Sequence, residues 1–253
     1  MIAEFSLEGR TALVTGAGRG IGTGIAEVLA EAGANVAINA LTGKYLDPFV
    51  QDLGRRSGRK IVGIAGDCTT PAGAAQLMEK AAAALGPIDI LVNNLGDAIR
   101  KPLEAMTDEE IDKVMGLNIM SAIYCARAVA PSMIARKRGK VINISSFSGV
   151  GGSANLAIYA VGKTGMVGLT RSLALEWAAH GINVNCIAPG LYPDLAMTGP
   201  ERYAQAEERA KTQVPLQRVG KFREVGLLAL YLASPASDYM TGQVIPLDGG
   251  LTV

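Results

Sequence analysis

Ser146, Tyr159 and Lys163 stand within "SSFSGVGGSANLAIYAVGK", residues 145–163, and their side chains suit proton transfer to and from oxygen. A tyrosine phenol titrates near ~10 and is a reluctant base at neutral pH. Lys163 follows Tyr159 by four residues, which on a helix sets the two side chains on one face, about 5–6 Å apart at Cβ. A neighbouring cation favours phenolate, so this spacing predicts that Lys163 draws Tyr159 down toward the operating pH, where general acid–base catalysis works best. Ser146 follows a β-branched run and can donate to a carbonyl or alkoxide oxygen, as an orienter rather than a nucleophile. Ser145 reads as its structural neighbour. Tyrosine and lysine at this spacing are also common on solvated helix faces, so the surrounding elements must decide between the two readings.

A second stretch, "TGAGRGIG" at 15–22, joins a strand to a helix and has the composition of a phosphate-binding turn. Gly16, Gly20 and Gly22 remove the Cβ atoms that would block a pyrophosphate, and Ile21 opens a helix whose first N–H groups lack partners. The spacing is G-x3-G-x-G. At the end of the next strand, Asn39, Ala40 and Leu41 occupy the place where a carboxylate would bind a ribose 2′-hydroxyl. With no acid there and Arg19 in the turn to pair with a 2′-phosphate, the pattern favours NADP(H). The lack of a basic residue at position 41 leaves NAD(H) possible.

These residues need a frame. Apolar, β-branched runs recur at 11–15, 35–39, 60–66, 88–94, 139–145, 182–189 and 242–248, each reading as a buried strand. Alanine-rich stretches of helical spacing lie between them, at 21–33 and 74–86 for example, closed by glycine. Strands alternating with helices predict an α/β fold: one Rossmann domain over 1–253, a doubly wound, seven-stranded parallel sheet with helices on both faces. Ligands of such a sheet bind beyond the carboxyl ends of the strands, where strand order reverses. Both motifs follow strands, as that rule requires.

Composition excludes several alternatives. With 49% hydrophobic and 19% charged residues, the 253-residue chain is too apolar to be disordered. Its net charge of +1 is spread along the sequence, which argues against a nucleic-acid partner. The first residues do not form a secretory signal, and no uninterrupted apolar run reaches membrane-spanning length. A cytoplasmic protein is expected. Cys68, Cys125 and Cys186 show no metal-ligand or disulfide spacing, so no metal is expected. The one histidine, His180, precedes a glycine at an apparent helix end, which disfavours a Ser-His-Asp hydrolase.

The ordered set of "TGAGRGIG" at 15–22, Asn93-Asn94-Leu95-Gly96, Ser146, the YxxxK of 159–163, Pro189-Gly190 and the final "DGG" at 248–250 resembles the short-chain dehydrogenase/reductase family over almost the whole chain. The resemblance implies a nicotinamide-dependent carbonyl or alcohol oxidoreductase, assembled as a homotetramer or dimer. It implies a catalytic tetrad of Asn118, Ser146, Tyr159 and Lys163, with Asn118 holding backbone and a water that links Lys163 to solvent. It further implies cofactor contacts from Asp67 and Cys68 on the adenine side, from Asn94 and Gly96, and from Pro189, Gly190 and Tyr192 on the nicotinamide side. Asn93 would tie neighbouring strands.

Two residues depart from the family pattern. Leu95 replaces the usual alanine and is expected to narrow the channel. Asp194 replaces a threonine near the carboxamide, and Thr198 lies too far along to be taken as its equivalent. The stretch 191–221 reads as a helical lid over the substrate. Phe147, Val150, Leu156, Tyr192, Leu195 and Met197 suggest a mixed apolar pocket bordered by 98–103; Ser146, Phe147, Leu156, Tyr159 and Tyr192 are the expected substrate contacts. "ARKRGK" at 135–140 offers docking for an acidic carrier, as a 3-oxoacyl-carrier-protein reductase would need, although basic residues ordinarily end a helix. A nicotinamide-binding regulator without turnover is the rival class; an intact tetrad argues against it.

Overall fold

The computed structural model describes residues 2–253. Strands β1 (Thr11–Val14), β2 (Asn35–Ala40), β3 (Ile61–Ala65), β4 (Ile90–Asn93), β5 (Gly139–Ile144), β6 (Ile182–Pro189) and β7 (Val244–Leu247) form one sheet in the order β3-β2-β1-β4-β5-β6-β7. Every pairing is parallel. The strand order reverses between β1 and β4. The helices are α1 (Ile21–Glu31), α2 (Gly43–Ser57), α3 (Pro71–Leu85), α4 (Asp108–Met115), α5 (Ser121–Arg136), the short α6 (Ser148–Gly151), α7 (Ala157–Trp177), α8 (Leu195–Gln213) and α9 (Phe222–Ala233).

The alternation of side chains along each strand feeds two cores. Ala12, Val14, Val36, Ile38, Val92 and Ile142 face α1, α2 and α9, whereas Leu13, Ala37, Leu91, Val141 and Val184 face α3, α5 and α7. Both faces are covered, which is why the central strands are continuous apolar runs. α1 and α9 approach closely through glycine: a β-carbon on Gly226 would lie 2.3 Å from the Gly24 carbonyl oxygen.

The expectation of seven fully buried strands needs correction at the rims. β3 and β7 are the edge strands, with Gly63 and Ala65 exposed and β7 only half-buried, because each has a neighbour on one side alone. Pro246 sits in β7, where the missing N–H costs no sheet bond on the open side. The continuous helical run Asp108–Arg136 is long and apolar on average, although Asn118, Ser121 and Arg127 interrupt its apolar residues. Cys125, Ala126, Val129 and Met133 of this run pack into the core beneath the sheet, the reason for its apolar character. His180 ends the 3₁₀ turn after α7, ahead of Gly181 in the left-handed region, as its sequence context indicated.

Candidate active site

The glycine turn lies beyond the carboxyl end of β1, at the reversal point. Gly16 has φ +62°, and a β-carbon there would stand 2.8 Å from Leu95 Cα, so only glycine fits. The Thr15 hydroxyl accepts the backbone N–H groups of Asn94 and Leu95 at 3.1 and 3.2 Å. Asn94 Nδ2 in return donates to the carbonyls of Thr15 and Gly16 at 2.9 and 3.1 Å. β1 and β4 are thus locked together at their carboxyl ends. No side chain caps α1, and its first N–H groups open beside Gly20, a ready anion site.

Across the reversal point, an open cleft of about 380 Å³ is lined by Gly16, Gly20, Ile21, Asn94, Gly96, Asp97, Ala98, Ser145, Ser146, Tyr159, Lys163, Pro189, Gly190, Tyr192, Asp194, Met197 and Thr198, among others. The residues that the sequence set far apart therefore share one concavity. Ser146 follows β5 and its Oγ accepts the Ser148 N–H at 3.1 Å. Tyr159 and Lys163 stand one turn apart on α7, with Lys163 Nζ 5.7 Å from the Tyr159 ring centre. Lys163 Nζ donates to the Ile144 carbonyl at 3.0 Å, and Ser145 Oγ donates to the Lys163 carbonyl at 2.7 Å. Ser145 is the structural partner the sequence suggested.

Asn118 does not line the cleft but sits directly behind it, fully buried in a π-helical turn, Gly116–Met120, between α4 and α5. Its Nδ2 donates to the carbonyls of Asp97 and Val114 at 2.6 and 2.8 Å. Its Oδ1 has no protein donor. A ladder of side chains stiffens the wall beneath: Asn93 Nδ2 donates to Asn143 Oδ1 and Asn143 Nδ2 to Thr170 Oγ1, each at 2.9 Å, tying β4 to β5 and β5 to α7.

Other expected contacts are placed differently. The Asn39 amide faces away from the cleft, donating to the Ile64 and Gly66 carbonyls of the β3 edge, and Cys68 is buried against it. Gly22 packs on Ala17 and Asn94 instead of facing a ligand. Asp67 is exposed, with its Oδ1 bound to the Thr69 N–H and hydroxyl at 2.8 and 2.7 Å. Leu95 packs on the α3/α5/α7 core and also lies against the glycine turn, its Cδ1 2.9 Å from where a β-carbon on Gly16 would be. Tyr192 lines the cleft with its ring, but its hydroxyl donates to the Leu247 carbonyl at 3.1 Å and is spent there. Leu156 is buried, Phe147 half-buried, and Val150 and Leu195 are exposed, so of the expected apolar pocket only Tyr192 and Met197 reach the cleft. Thr198 does line it, because α8 folds back over the edge with Asp194 as its N-cap.

Comparison with known proteins agrees with this geometry. A family model described as enoyl-(acyl carrier protein) reductase matches residues 16–252. The chain is 38% identical to the 2-dehydro-3-deoxy-D-gluconate 5-dehydrogenase of Dickeya dadantii over 255 residues, 99% of this chain and 98% of that one. It superposes on a short-chain alcohol dehydrogenase structure from Sinorhizobium meliloti with TM-score 0.92 at 38% identity, covering 98% of both chains. The chain belongs to the short-chain dehydrogenase/reductase family. A gluconate 5-dehydrogenase from Burkholderia cenocepacia, solved with NADP and tartrate, superposes with TM-score 0.91 at 36% identity over 98% of this chain and 97% of that one.

In this dehydrogenase/reductase two side chains beside Arg19 escaped sequence reasoning. Arg19 and Lys44 both lie over the Tyr45 ring, 5.8 and 5.2 Å from its centre, so two cations gather near the carboxyl end of β2. Residues within the helical context of α2 gave no cue, since the clustering depends on the turn at 41–43. The electrostatics of Tyr159 include a burial effect that spacing does not show. Burial raises the phenol above its ordinary value, a hydrogen bond with Ser146 pulls it down, and the Asp97 charge pushes it up again. Lys163, wholly buried, is itself brought down to about 8 by desolvation, so it offers less positive charge than a solvated lysine would.

Proposed function

We propose that this family member is an NADP(H)-dependent oxidoreductase that reduces a carbonyl to a secondary alcohol, or runs the reverse, with Tyr159 as general acid or base. The observation that carries this reading is the convergence of Ser146, Tyr159 and Lys163 on the cleft that also holds the glycine turn. The residues fit the coenzyme: the first N–H groups of α1, beside Gly20, have no side-chain cap and can take a pyrophosphate. Arg19 and Lys44 would pair with the 2′-phosphate, and Pro189 and Gly190 would flank the ring. Bound NADP(H) supplies or accepts the hydride at the carbonyl carbon. Ser146 orients the substrate oxygen and stabilises charge on it. Tyr159 gives that oxygen its proton during reduction and takes it back during oxidation. Lys163 holds positive charge behind the phenol, and Asn118 fixes the Asp97 backbone while leaving an acceptor for a water toward Lys163.

The test is a panel of ketones, aldehydes and secondary alcohols with NADPH and NADH, followed by coenzyme absorbance. Tyr159→Phe should lose turnover by roughly 10²–10⁴-fold while retaining NADPH binding. Ordinary turnover by that variant would sink the mechanism.

Among substrates, the mixed lining of the cleft, with Ser146, Asp97 and Thr198 beside Ile21, Tyr192 and Met197, suits a small carbonyl compound that carries both polar and apolar groups. Carrier docking at 135–140 is not favoured. Arg136 and Arg138 share the Asp89 carboxylate at 2.7 Å, and Lys140 bonds to Asp238 at 2.7 Å, so three of the four cations here already have partners within the chain.

A lid role for α8 within 191–221 rests on its packing. Ala210 is its one buried residue, and Gly199, at φ 76° and ψ 167°, breaks it after one turn in a conformation other residues avoid. Assembly as a homotetramer or dimer is supported by the outer face of α7. Val161 and Leu175 are exposed there at 53% and 84%, two heptads apart, with open Gly168 between them. Light scattering of wild type and Leu175→Glu tests it. Three free, buried cysteines suit the reducing cytoplasm.

A further inference from the structure

The charge on the wall of the cleft is uneven. Asp97 follows Gly96 at the carboxyl edge of β4, and its backbone carbonyl is gripped by the buried Asn118 amide at 2.6 Å. Its Oδ1 accepts the Ala98 N–H at 2.8 Å, which fixes the carboxylate on its own turn. Asp97 lines the same cleft as Tyr159, and its charge is felt at the phenol. Asp194, the other carboxylate on this wall, is bonded to the Ala196 N–H and stands against Gly20, toward the glycine turn. Among the cleft residues the sole cation is Lys163, which is buried behind Tyr159 with its ammonium on the Ile144 carbonyl. The basic side chains that follow in sequence do not offset this. Lys101 is paired with Glu110 at 2.9 Å, and neither it nor Arg100 lines the cleft.

A substrate whose carbonyl oxygen rests between Ser146 and Tyr159 must place its neighbouring substituents against this wall. Two like charges about 6 Å apart in a half-solvated site repel enough to change an equilibrium about tenfold. A hydroxyl or an ammonium, in contrast, donates to a carboxylate in a charge-assisted bond. We propose that Asp97 is a specificity-determining residue that sorts substrates by charge beside the reacting carbon: neutral, hydroxyl-bearing or cationic carbonyl compounds are taken, and those with a carboxylate or phosphate next to that carbon are rejected. The inference rests on the oxidoreductase reading above. It allows an anionic group several bonds away, beyond the wall, and it names the substituents nearest the carbonyl as the ones the site reads.

The experiment compares kcat/KM for pairs that differ chiefly in charge near the ketone, the added alkyl group being common to wild type and variants: methyl pyruvate with pyruvate, and ethyl acetoacetate with acetoacetate, each with NADPH. Wild type should favour the ester of each pair. Asp97→Asn keeps an acceptor for the Ala98 N–H and should shrink the ester-to-acid ratio about tenfold. Asp97→Glu, which retains the charge, should stay within about twofold of wild type. A ratio cancels any common loss of folded protein or coenzyme affinity, so a merely structural role would leave it unmoved. Equal ratios in wild type and Asp97→Asn overturn the proposal while the oxidoreductase reading survives on the turnover itself. Absence of turnover with every carbonyl compound, in the presence of tight NADPH binding, takes down that reading and this inference with it.

Discussion

Asn118 Oδ1 and Lys163 Nζ close on the same point from two helices: a β-carbon placed on Gly96 would lie 2.6 Å from the first and 2.7 Å from the second. A glycine on the β4 edge therefore lets an acceptor and an ammonium approach each other under the floor of the cleft. Gly96→Ala should displace one of them and reduce kcat by about 10²-fold, the range lost when a positioned proton-transfer group is misplaced. Steady-state kinetics with thermal denaturation checks this; undiminished kcat in a folded variant would contradict it.

Burial of Lys163 should be visible in stability. Its native value of about 8 lies below the 10.5 of an exposed lysine. Below pH 8 both states hold the proton; between about 8 and 10.5 the unfolded chain binds more protons, so wild-type stability contributed by this group rises with pH. Compared with Lys163→Met, the wild type should gain a few kcal/mol across that window, read from urea unfolding at each pH. A difference that is flat or falls with pH would be inconsistent with a buried, desolvated ammonium.

The raised phenol of Tyr159 gives the two reaction directions different pH profiles. Reduction uses the protonated phenol, which is the dominant form throughout the neutral range, so its rate should change little there. Oxidation uses the phenolate and should rise as the pH climbs into the alkaline range. Initial rates in both directions with one ketone and its alcohol supply the check.

Coenzyme choice should depend on the pair of cations on Tyr45. Arg19→Ala and Lys44→Ala should each weaken NADPH binding by about tenfold, in keeping with loss of one charge-assisted contact, and leave NADH almost unchanged. Fluorescence titration of the reduced coenzymes distinguishes this from a general loss of affinity, which would affect both.

Gly199 offers a test of the lid. Replacing it with alanine forces a side chain into backbone space reserved for glycine, at about 1–3 kcal/mol locally. Because α8 contributes only Ala210 to the interior, the melting temperature should move by no more than a few degrees while KM for the carbonyl substrate rises several-fold.

Much of this was legible in the residues. Parallel strands covered on both faces must be apolar throughout, so β1, β2, β4, β5 and β6 announced themselves, and the glycine turn and Tyr159–Lys163 spacing followed directly from where strands end. The edge character of β3 was hidden because Ile61, Val62 and Ile64 look like any interior run until neighbours are counted. The π turn around Asn118 was hidden for another reason: a shift from four to five residues per hydrogen bond depends on packing, not on residue type. The side-chain polar atoms of Asn39 and Tyr192 bond to the carbonyls of Ile64, Gly66 and Leu247, partners that only the folded sheet supplies, while the Tyr192 ring still lines the cleft. Tyr159 and Lys163 share one helix turn as their spacing predicts, whereas the water both groups lose, which raises the phenol and lowers the ammonium, cannot be read from spacing.

The asymmetry of α8 has a wider meaning. The segment that overhangs the reacting groups shares almost nothing with the interior, whereas the groups themselves are held by strands, a buried amide and a ladder of paired side chains. Substitutions in the overhang should cost little in folding, while those at Met197 or Thr198 alter the wall of the cleft. The fold thereby keeps one reaction fixed while leaving its choice of customer open to change.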